Sequence, residues 1–261
     1  MSNANANANA ILDAYFGTPI NPLSFSAWLL QLDTQLATEN RRWLCGHHNL
    51  HSLYQLHSNA AVRTFYQRCD DCYIDGNPVK FIFPQVSRSH SEVFRFTLMD
   101  HFTDLLAEAE KKNWSIFYLG SEQTVVAAAI EKLESEYPAL KIQLRDGYGG
   151  DSTEWCHAIN DMRPDLLMVG MGMPRQEQWL LAHLDDLDVG IALQTGGTLD
   201  YFVGAQAKPP LWLSRIGFAW LYRLFANPGK LWRRYLWEPW ALLIPTARMH
   251  FQVWRLGRET R

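Results

Sequence analysis

No run of 18 or more apolar residues occurs in the 261-residue chain, so nothing in it reads as a membrane-spanning helix. Neither G-x-G-x-x-G nor G-x-x-x-x-G-K-[ST] is present. That removes support for a nicotinamide-dependent oxidoreductase and for a P-loop enzyme. The start has no basic segment followed by an apolar core, so no signal peptide is expected. Cysteine is scarce: Cys45, Cys69, Cys72 and Cys156. In the cytosol these are expected to be reduced thiols. Cys69-Asp70-Asp71-Cys72 has the spacing of half a zinc site, but no second ligand pair follows, and buried thiols are the plainer reading. Asp186-Leu187-Asp188 has the spacing of metal-dependent sugar transferases. It precedes a strand, at the end opposite the expected ligand edge, and reads as a solvated loop. No metal and no cofactor are expected.

Tryptophan is abundant, with eleven residues, and charge is uneven. From Lys208 onward there are ten basic residues against two acids, a net of +8, which leaves −11 for the rest of a chain of net charge −3. Six of the Trp residues (212, 220, 232, 237, 240 and 254) share that tail. A basic, Trp-rich end suits an anionic partner such as a membrane surface or a diphosphate, while the acidic body argues against nucleic acid. Lys230, Arg233 and Arg234 stand at i, i+3 and i+4 on a helical reading, with Arg223 one segment earlier. Such a cluster suits a pyrophosphate. The bland alternatives are a solvated basic face and a dimer interface.

Apolar and turn patterns predict strands over 43–45, 72–74, 115–119, 141–144, 166–169 and 189–193. Helices are predicted over 25–38, from 49, and over 97–112, 122–137 (capped by Ser121), 152–162 and 176–184. This alternation predicts an α/β, Rossmann-like, largely parallel sheet. Residues 1–26 read as disordered or irregular, 27–205 as the α/β domain, and 206–261 as a helical appendage of short pieces punctuated by Pro228, Pro239 and Pro245. Truncation after Ala205 is expected to leave a folded, inactive body.

The strands end in glycine: Gly76, Gly120, Gly147, Gly170, Gly172, Gly196 and Gly197. In an open parallel sheet ligands bind beyond the carboxyl ends of the strands, and glycine there admits a nucleotide, although it also serves tight turns. Asp75 ends a strand beside Gly76, where a carboxylate can serve as general base or cap a turn. Gln176 and Glu177 open a helix behind Pro174, within reach of the ligand edge or as caps. Asp200 can accept from a ribose hydroxyl or cap a helix. Tyr148 joins the nucleotide-binding candidates.

Four stretches resemble the WecG/TagA/CpsF glycosyltransferases over roughly residues 43–235. They are Asn49 after the first strand, Asp75-Gly76, the run from Val169 through Gly172-Met173-Pro174-Arg175-Gln176-Glu177, and Gly196-Gly197-Thr198-Leu199-Asp200 with the later Trp220, Arg223, Pro228 and Trp232-Arg233-Arg234-Tyr235. The resemblance implies an inverting, metal-independent enzyme at the inner face of the bacterial membrane. It would carry a hexosyl group from a UDP-sugar to an undecaprenyl-diphosphate-linked sugar. Asp75 falls on the proposed base, and Gln176, Arg95, His47 and Asn49 on site positions. Arg223, Lys230 and Arg233 fall on residues that hold a diphosphate. His47 stands where the family often has Thr, Leu98 where it has Gly, and Ala219 where it has an acid. The run Cys45-Gly46-His47-His48-Asn49-Leu50-His51 resembles xanthan-type, GumM-like exopolysaccharide glucosyltransferases, which implies UDP-glucose rather than UDP-N-acetylmannosamine as donor. The alternative is a non-catalytic, nucleotide-binding, membrane-docking module.

Overall fold

A computed structural model describes residues 3–38, 42–82, 94–210, 213 and 219–259. In chain order the elements are α1 (Asn3–Phe16), α2 (Phe25–Leu36), β1 (Trp43–His48), α3 (Leu50–Ser58), α4 (Ala60–Arg68), β2 (Asp71–Ile74) and α5 (Asn77–Ile82). A 3₁₀ turn (Leu98–Asp100) then leads into α6 (Phe102–Lys112), β3 (Ser115–Gly120), α7 (Gln123–Glu136), β4 (Lys141–Arg145), α8 (Ser152–Met162), β5 (Leu166–Gly170) and α9 (Arg175–His183). Last come β6 (Ile191–Gln194), α10 (Thr198–Phe202), α11 (Ala219–Ala226), α12 (Pro228–Trp232), a π-helical turn (Arg233–Trp237) and α13 (Glu238–Glu259).

The expected α/β sheet is present. Six strands run in the order β2-β1-β6-β5-β3-β4. The pairs β1/β6, β6/β5, β5/β3 and β3/β4 are parallel. β5, Leu-Leu-Met-Val-Gly, is buried throughout, as a strand covered on both faces must be, whereas edge strand β4 leaves alternate residues exposed. The register sets Gly120 opposite Gly170 at the carboxyl ends of β3 and β5.

The chain packs as two compact units. One comprises Ser24–Gly46 and Phe96–Gln206 and has the β3, β5 and β6 core. The other comprises Met1–Leu23, His47–Arg95 and Ala207–Arg261. Its core gathers Leu12, Tyr15 and Phe16 of α1, Leu53 of α3, Ile74, Val79, and Leu242, Met249 and Val253 of α13. This division departs from the 27–205 and 206–261 boundaries read from the sequence.

Several local expectations are corrected. The N-terminal stretch is helical rather than disordered. Its Asn/Ala repeat contains no Gly or Pro before Gly17, and the helix is held by burial of Leu12, Tyr15 and Phe16. The C-terminal region ends in one 22-residue helix that runs through Pro245, not in short pieces. Tyr15 Oη and Thr246 Oγ1, 2.7 Å apart, join α1 to it. The predicted helix over 97–112 splits at His101 (φ −114°), and the one from 49 breaks at Asn59, which caps α4 with its side chain. Ser121 does not cap α7, whose N-cap is Glu122. Ser121 instead adopts φ +60° and turns its hydroxyl inward.

α13 carries two unlike faces. Leu242, Met249 and Val253 are buried, whereas Trp240 is 70% exposed and Ile244 73%, with Leu243, Phe251 and Trp254 also exposed. Among the described residues no helix is long and apolar enough to cross a membrane.

Candidate active site

In the unit that holds Asp75, the chemistry gathers where β1 and β2 end. β1 runs through His48, and Asn49, extended at φ −116°, caps α3. Asn49 Oδ1 accepts from the Ser52 amide at 3.0 Å, while Ser52 Oγ accepts from the Asn49 amide at 2.9 Å. This capping box orients the Asn49 side chain. With its oxygen committed to Ser52, its amide nitrogen must face the other way. There Nδ2 donates to Asp75 Oδ2 at 3.4 Å and lies 3.5 Å from His47 Nε2. His47 Nε2 and Asp75 Oδ2 are 4.0 Å apart, and the Asp75 side chain keeps 19% exposure. The Asp75 amide donates to the His48 carbonyl at 2.8 Å, and Gly76 follows at φ +87°. His47, Asn49 and Asp75 therefore form one cluster.

The neighbouring His48 has a different task. Its Nε2 donates to the Phe16 carbonyl at 2.8 Å, and its ring stacks on Tyr66. Burial, with His47 and His57 nearby, pushes it down to about 3, so it is a neutral core group at physiological pH. Arg95 lies half-buried in the irregular stretch before the 3₁₀ turn.

In the other unit the strand-end glycines separate into two kinds. A Cβ on Gly120 would collide with the Gly170 backbone, one on Gly170 with Tyr118 Oη, and one on Gly147 would come within 2.8 Å of Met171 Cγ. These three serve close packing. Gly172 (φ +77°) and Gly196 (φ +57°) adopt left-handed backbone, with nothing within 4 Å of where a side chain would stand. That open space beyond the ends of β5 and β6 leaves room for a ligand.

Gln176 and Glu177 do not reach for a ligand edge. Both are fully buried on the inner side of α9, whose N-cap is Pro174, behind a cis Met173–Pro174 bond. Gln176 Oε1 accepts from the Gly196 amide at 3.1 Å, and its Nε2 donates to Glu177 Oε1 at 2.7 Å and to Gln194 Oε1 at 3.5 Å. The carboxamide thus holds the open Gly196 turn in place. Burial pushes the Glu177 carboxyl up to about 7, against the Gln176 bond and its own amide. Its second oxygen has no hydrogen-bond partner among the described residues.

Asp200, on α10, accepts from Ser121 Oγ at 2.8 Å and from Gln206 Nε2 at 3.5 Å. Gly197 lies beside that carboxylate. Tyr118, buried and pushed up to about 12, donates to the Gly196 carbonyl at 3.3 Å. Tyr148, half-exposed, donates from its hydroxyl to the Met171 carbonyl at 2.8 Å, and the Arg175 guanidinium lies 4.8 Å from its ring centre. Ser121 escaped sequence reasoning because a left-handed serine looks like any helix cap.

The raised Glu177 carboxyl has a consequence for stability. Its folded value exceeds the ordinary 4.5, so the folded chain binds this proton more tightly than the unfolded chain. That stabilisation is present below pH 4.5 and is lost as pH rises through about 7. Denaturant unfolding of wild type and Glu177→Gln at pH 5 and pH 8 should show the variant gaining on wild type by up to about 3 kcal/mol at the higher pH. An unchanged difference would mean that the carboxyl titrates normally.

Of the basic candidates, Arg223 is half-buried on α11, Lys230 lies on α12, and Arg233 is exposed. Arg233 and Arg234 sit in the π-helical turn that follows α12, and the Lys230 side chain lies outside the described residues. Arg163 Nε pairs with Asp188 Oδ2 at 2.6 Å on the surface. Cys45, Cys69 and Cys72 are buried and Cys156 is half-buried, none of the four in a disulfide. Among the described residues no three His, Cys, Asp or Glu side chains group as a metal site would require.

The model of the "Glycosyl transferase WecG/TagA/CpsF family" matches residues 14–255. Similar curated proteins carry the name N-acetylglucosaminyldiphosphoundecaprenol N-acetyl-beta-D-mannosaminyltransferase. The one from Bacillus subtilis is 35% identical over 141 residues, 54% of this chain and 55% of that protein. The one from Bacillus spizizenii is 27% identical over 227 residues, 85% and 87% respectively. One from Staphylococcus aureus is 30% identical over 138 residues, 52% of each. The matches to the Bacillus subtilis and Staphylococcus aureus proteins thus span about half the length of those relatives.

Proposed function

We propose, since this chain belongs to the WecG/TagA/CpsF family of glycosyl transferases, that it moves a hexosyl or N-acetylhexosaminyl group from a UDP-sugar to a sugar carried on undecaprenyl diphosphate. The names of its relatives support an N-acetylglucosaminyl-diphospholipid acceptor and an N-acetylmannosaminyl donor. The observation that carries the reading is the carboxylate of Asp75, partly exposed and held from one side by the Asn49 amide.

In this reading Asp75 takes the proton from the acceptor hydroxyl. The acceptor oxygen forms its bond to the anomeric carbon from the face opposite the nucleotide. The bond from that carbon to the diphosphate breaks, and its electron pair leaves with UDP. One displacement inverts the anomeric centre. Within the other unit, the open Gly172 and Gly196 turns suit a phosphate group, and Gln176, braced by Glu177 and Gln194, presents the Gly196 turn. Arg223, Lys230, Arg233 and Arg95 are the candidate cations for charge growing on the leaving diphosphate. No metal is required for this step. The exposed Trp240, Leu243, Ile244 and Phe251 of α13, with the basic residues of the tail, suit docking on the inner, anionic face of a bacterial membrane. The product then enters synthesis of an exopolysaccharide or another cell-surface polymer.

The test is formation of a lipid-linked disaccharide from N-acetylglucosaminyl-diphospholipid, with EDTA present. UDP-N-acetylmannosamine, UDP-glucose and UDP-N-acetylglucosamine are offered in turn. Product with one donor, indifferent to EDTA, is expected. UDP binding without product from any of them would instead favour a docking module.

A further inference from the structure

The tail of ten basic residues contains two acids, and one of them, Glu238, is buried. A buried carboxylate needs a partner. Glu238 begins α13, and its Oε2 lies 2.7 Å from His51 Nδ1, the two side chains being 8% and 17% exposed. They are 187 positions apart in sequence.

His51 sits in the first turn of α3, two residues after Asn49. The same turn holds Ser52, which completes the capping box with Asn49, while Leu50 and Leu53 pack with the cluster that contains Leu242, Met249 and Val253 of α13. The start of α3 is therefore fastened on one side to Asn49 and on the other to α13. The Asn49 amide reaches Asp75 and His47 at 3.4 and 3.5 Å, the long limit of hydrogen bonding. Bonds of that length have no slack, and a small shift of the α3 turn breaks them.

We propose that the His51–Glu238 pair is a positioning device, through which α13 seats the first turn of α3 and so holds the Asn49 amide on Asp75. His51 and Glu238 are positioning residues, and neither is assigned contact with substrate. The inference rests on the reading of Asp75 as the base given above.

The experiment compares wild type with His51→Ala, Glu238→Ala, the double variant, Glu238→Gln and, in parallel, Asp75→Asn. Each single Ala variant should lower kcat about tenfold while donor KM stays within about twofold, because a displaced group costs rate rather than donor affinity. The double variant should be no slower than either single one, the mark of one shared interaction. Glu238→Gln, which keeps an acceptor for His51, should recover most of the rate. Hydrogen exchange of the Ser52 amide, which Asn49 protects, should quicken in Glu238→Ala. Wild-type kcat in both single variants, losses that multiply in the double variant, or unchanged Ser52 exchange would each overturn the proposal. Those results beside an inactive Asp75→Asn enzyme would leave the reading of the base intact, whereas an active Asp75→Asn enzyme would remove that reading instead.

Discussion

Replacing Asp75 by Asn should lower kcat by about 10²–10⁴-fold, the range associated with loss of a general base, and leave the fold intact. The substitution preserves size and shape. The Asp75 backbone amide, bonded to the His48 carbonyl at 2.8 Å, is untouched, and an Asn side chain still offers one oxygen to the Asn49 amide. What disappears is the carboxylate that can take a proton. At 10³-fold the barrier rises by about 4 kcal/mol, more than any other single group in this cluster is asked to supply. UDP affinity and thermal midpoint, measured on the same preparation, should match wild type. A loss below about tenfold, smaller than a general base accounts for, would mean that the proton leaves by another route.

The second large effect concerns α13. An appendage that merely rests on a folded body could be removed without cost to that body, but the structure argues otherwise. Leu242, Met249 and Val253 complete the same core as Leu12, Tyr15, Phe16 and Leu53. A chain that stops before Glu238 would expose those α1 and α3 side chains to water and should be recovered as aggregate, or melt far below the full-length protein. The graded version is cleaner to measure. Leu242→Ala should cost about 2–5 kcal/mol in denaturant unfolding, as a fully buried leucine does when a cavity replaces it. Trp240→Ala, at 70% exposure, should cost no more than about 0.5 kcal/mol. The same Trp240→Ala variant, combined with Ile244→Ala, should lose binding to vesicles containing anionic lipid. Equal stability losses at Leu242 and Trp240 would refute the two-faced description of the helix.

Much of this architecture is legible in the sequence, for a physical reason. Parallel strands buried on both faces must be short apolar runs, and the turn after each must be small, so 115–119 and 166–169 announce themselves with their terminal glycines. Asp75 is legible as a candidate because a strand's carboxyl end is where an open α/β sheet binds ligands, whereas Asn49 is picked out only by the resemblance to the family. The rest is hidden where the deciding partner is distant in sequence. The Asn/Ala repeat carries no apolar pattern, and α1 packs through Leu12, Tyr15 and Phe16 in one core with Leu242, Met249 and Val253 of α13, more than 200 residues later. Gln176 and Glu177 sit at a helix start, where sequence cannot say whether a polar side chain turns outward or in. The answer depends on Gln194 and Gly196, at the end of β6, the next strand in the chain. Glycine alone was ambiguous as well. The same residue type packs Gly170 against Tyr118 and opens Gly196 to solvent, and only coordinates separate the two uses.

The central claim is a single displacement onto a lipid-linked sugar with Asp75 as base, and the anomeric configuration of the product tests it most directly. The disaccharide made from an α-linked UDP-sugar and N-acetylglucosaminyl-diphospholipid would be isolated, and the one-bond carbon–hydrogen coupling at its new anomeric centre measured by NMR. A β linkage is the result this account predicts. An α linkage would require two displacements or a front-face mechanism and would contradict the role given to Asp75.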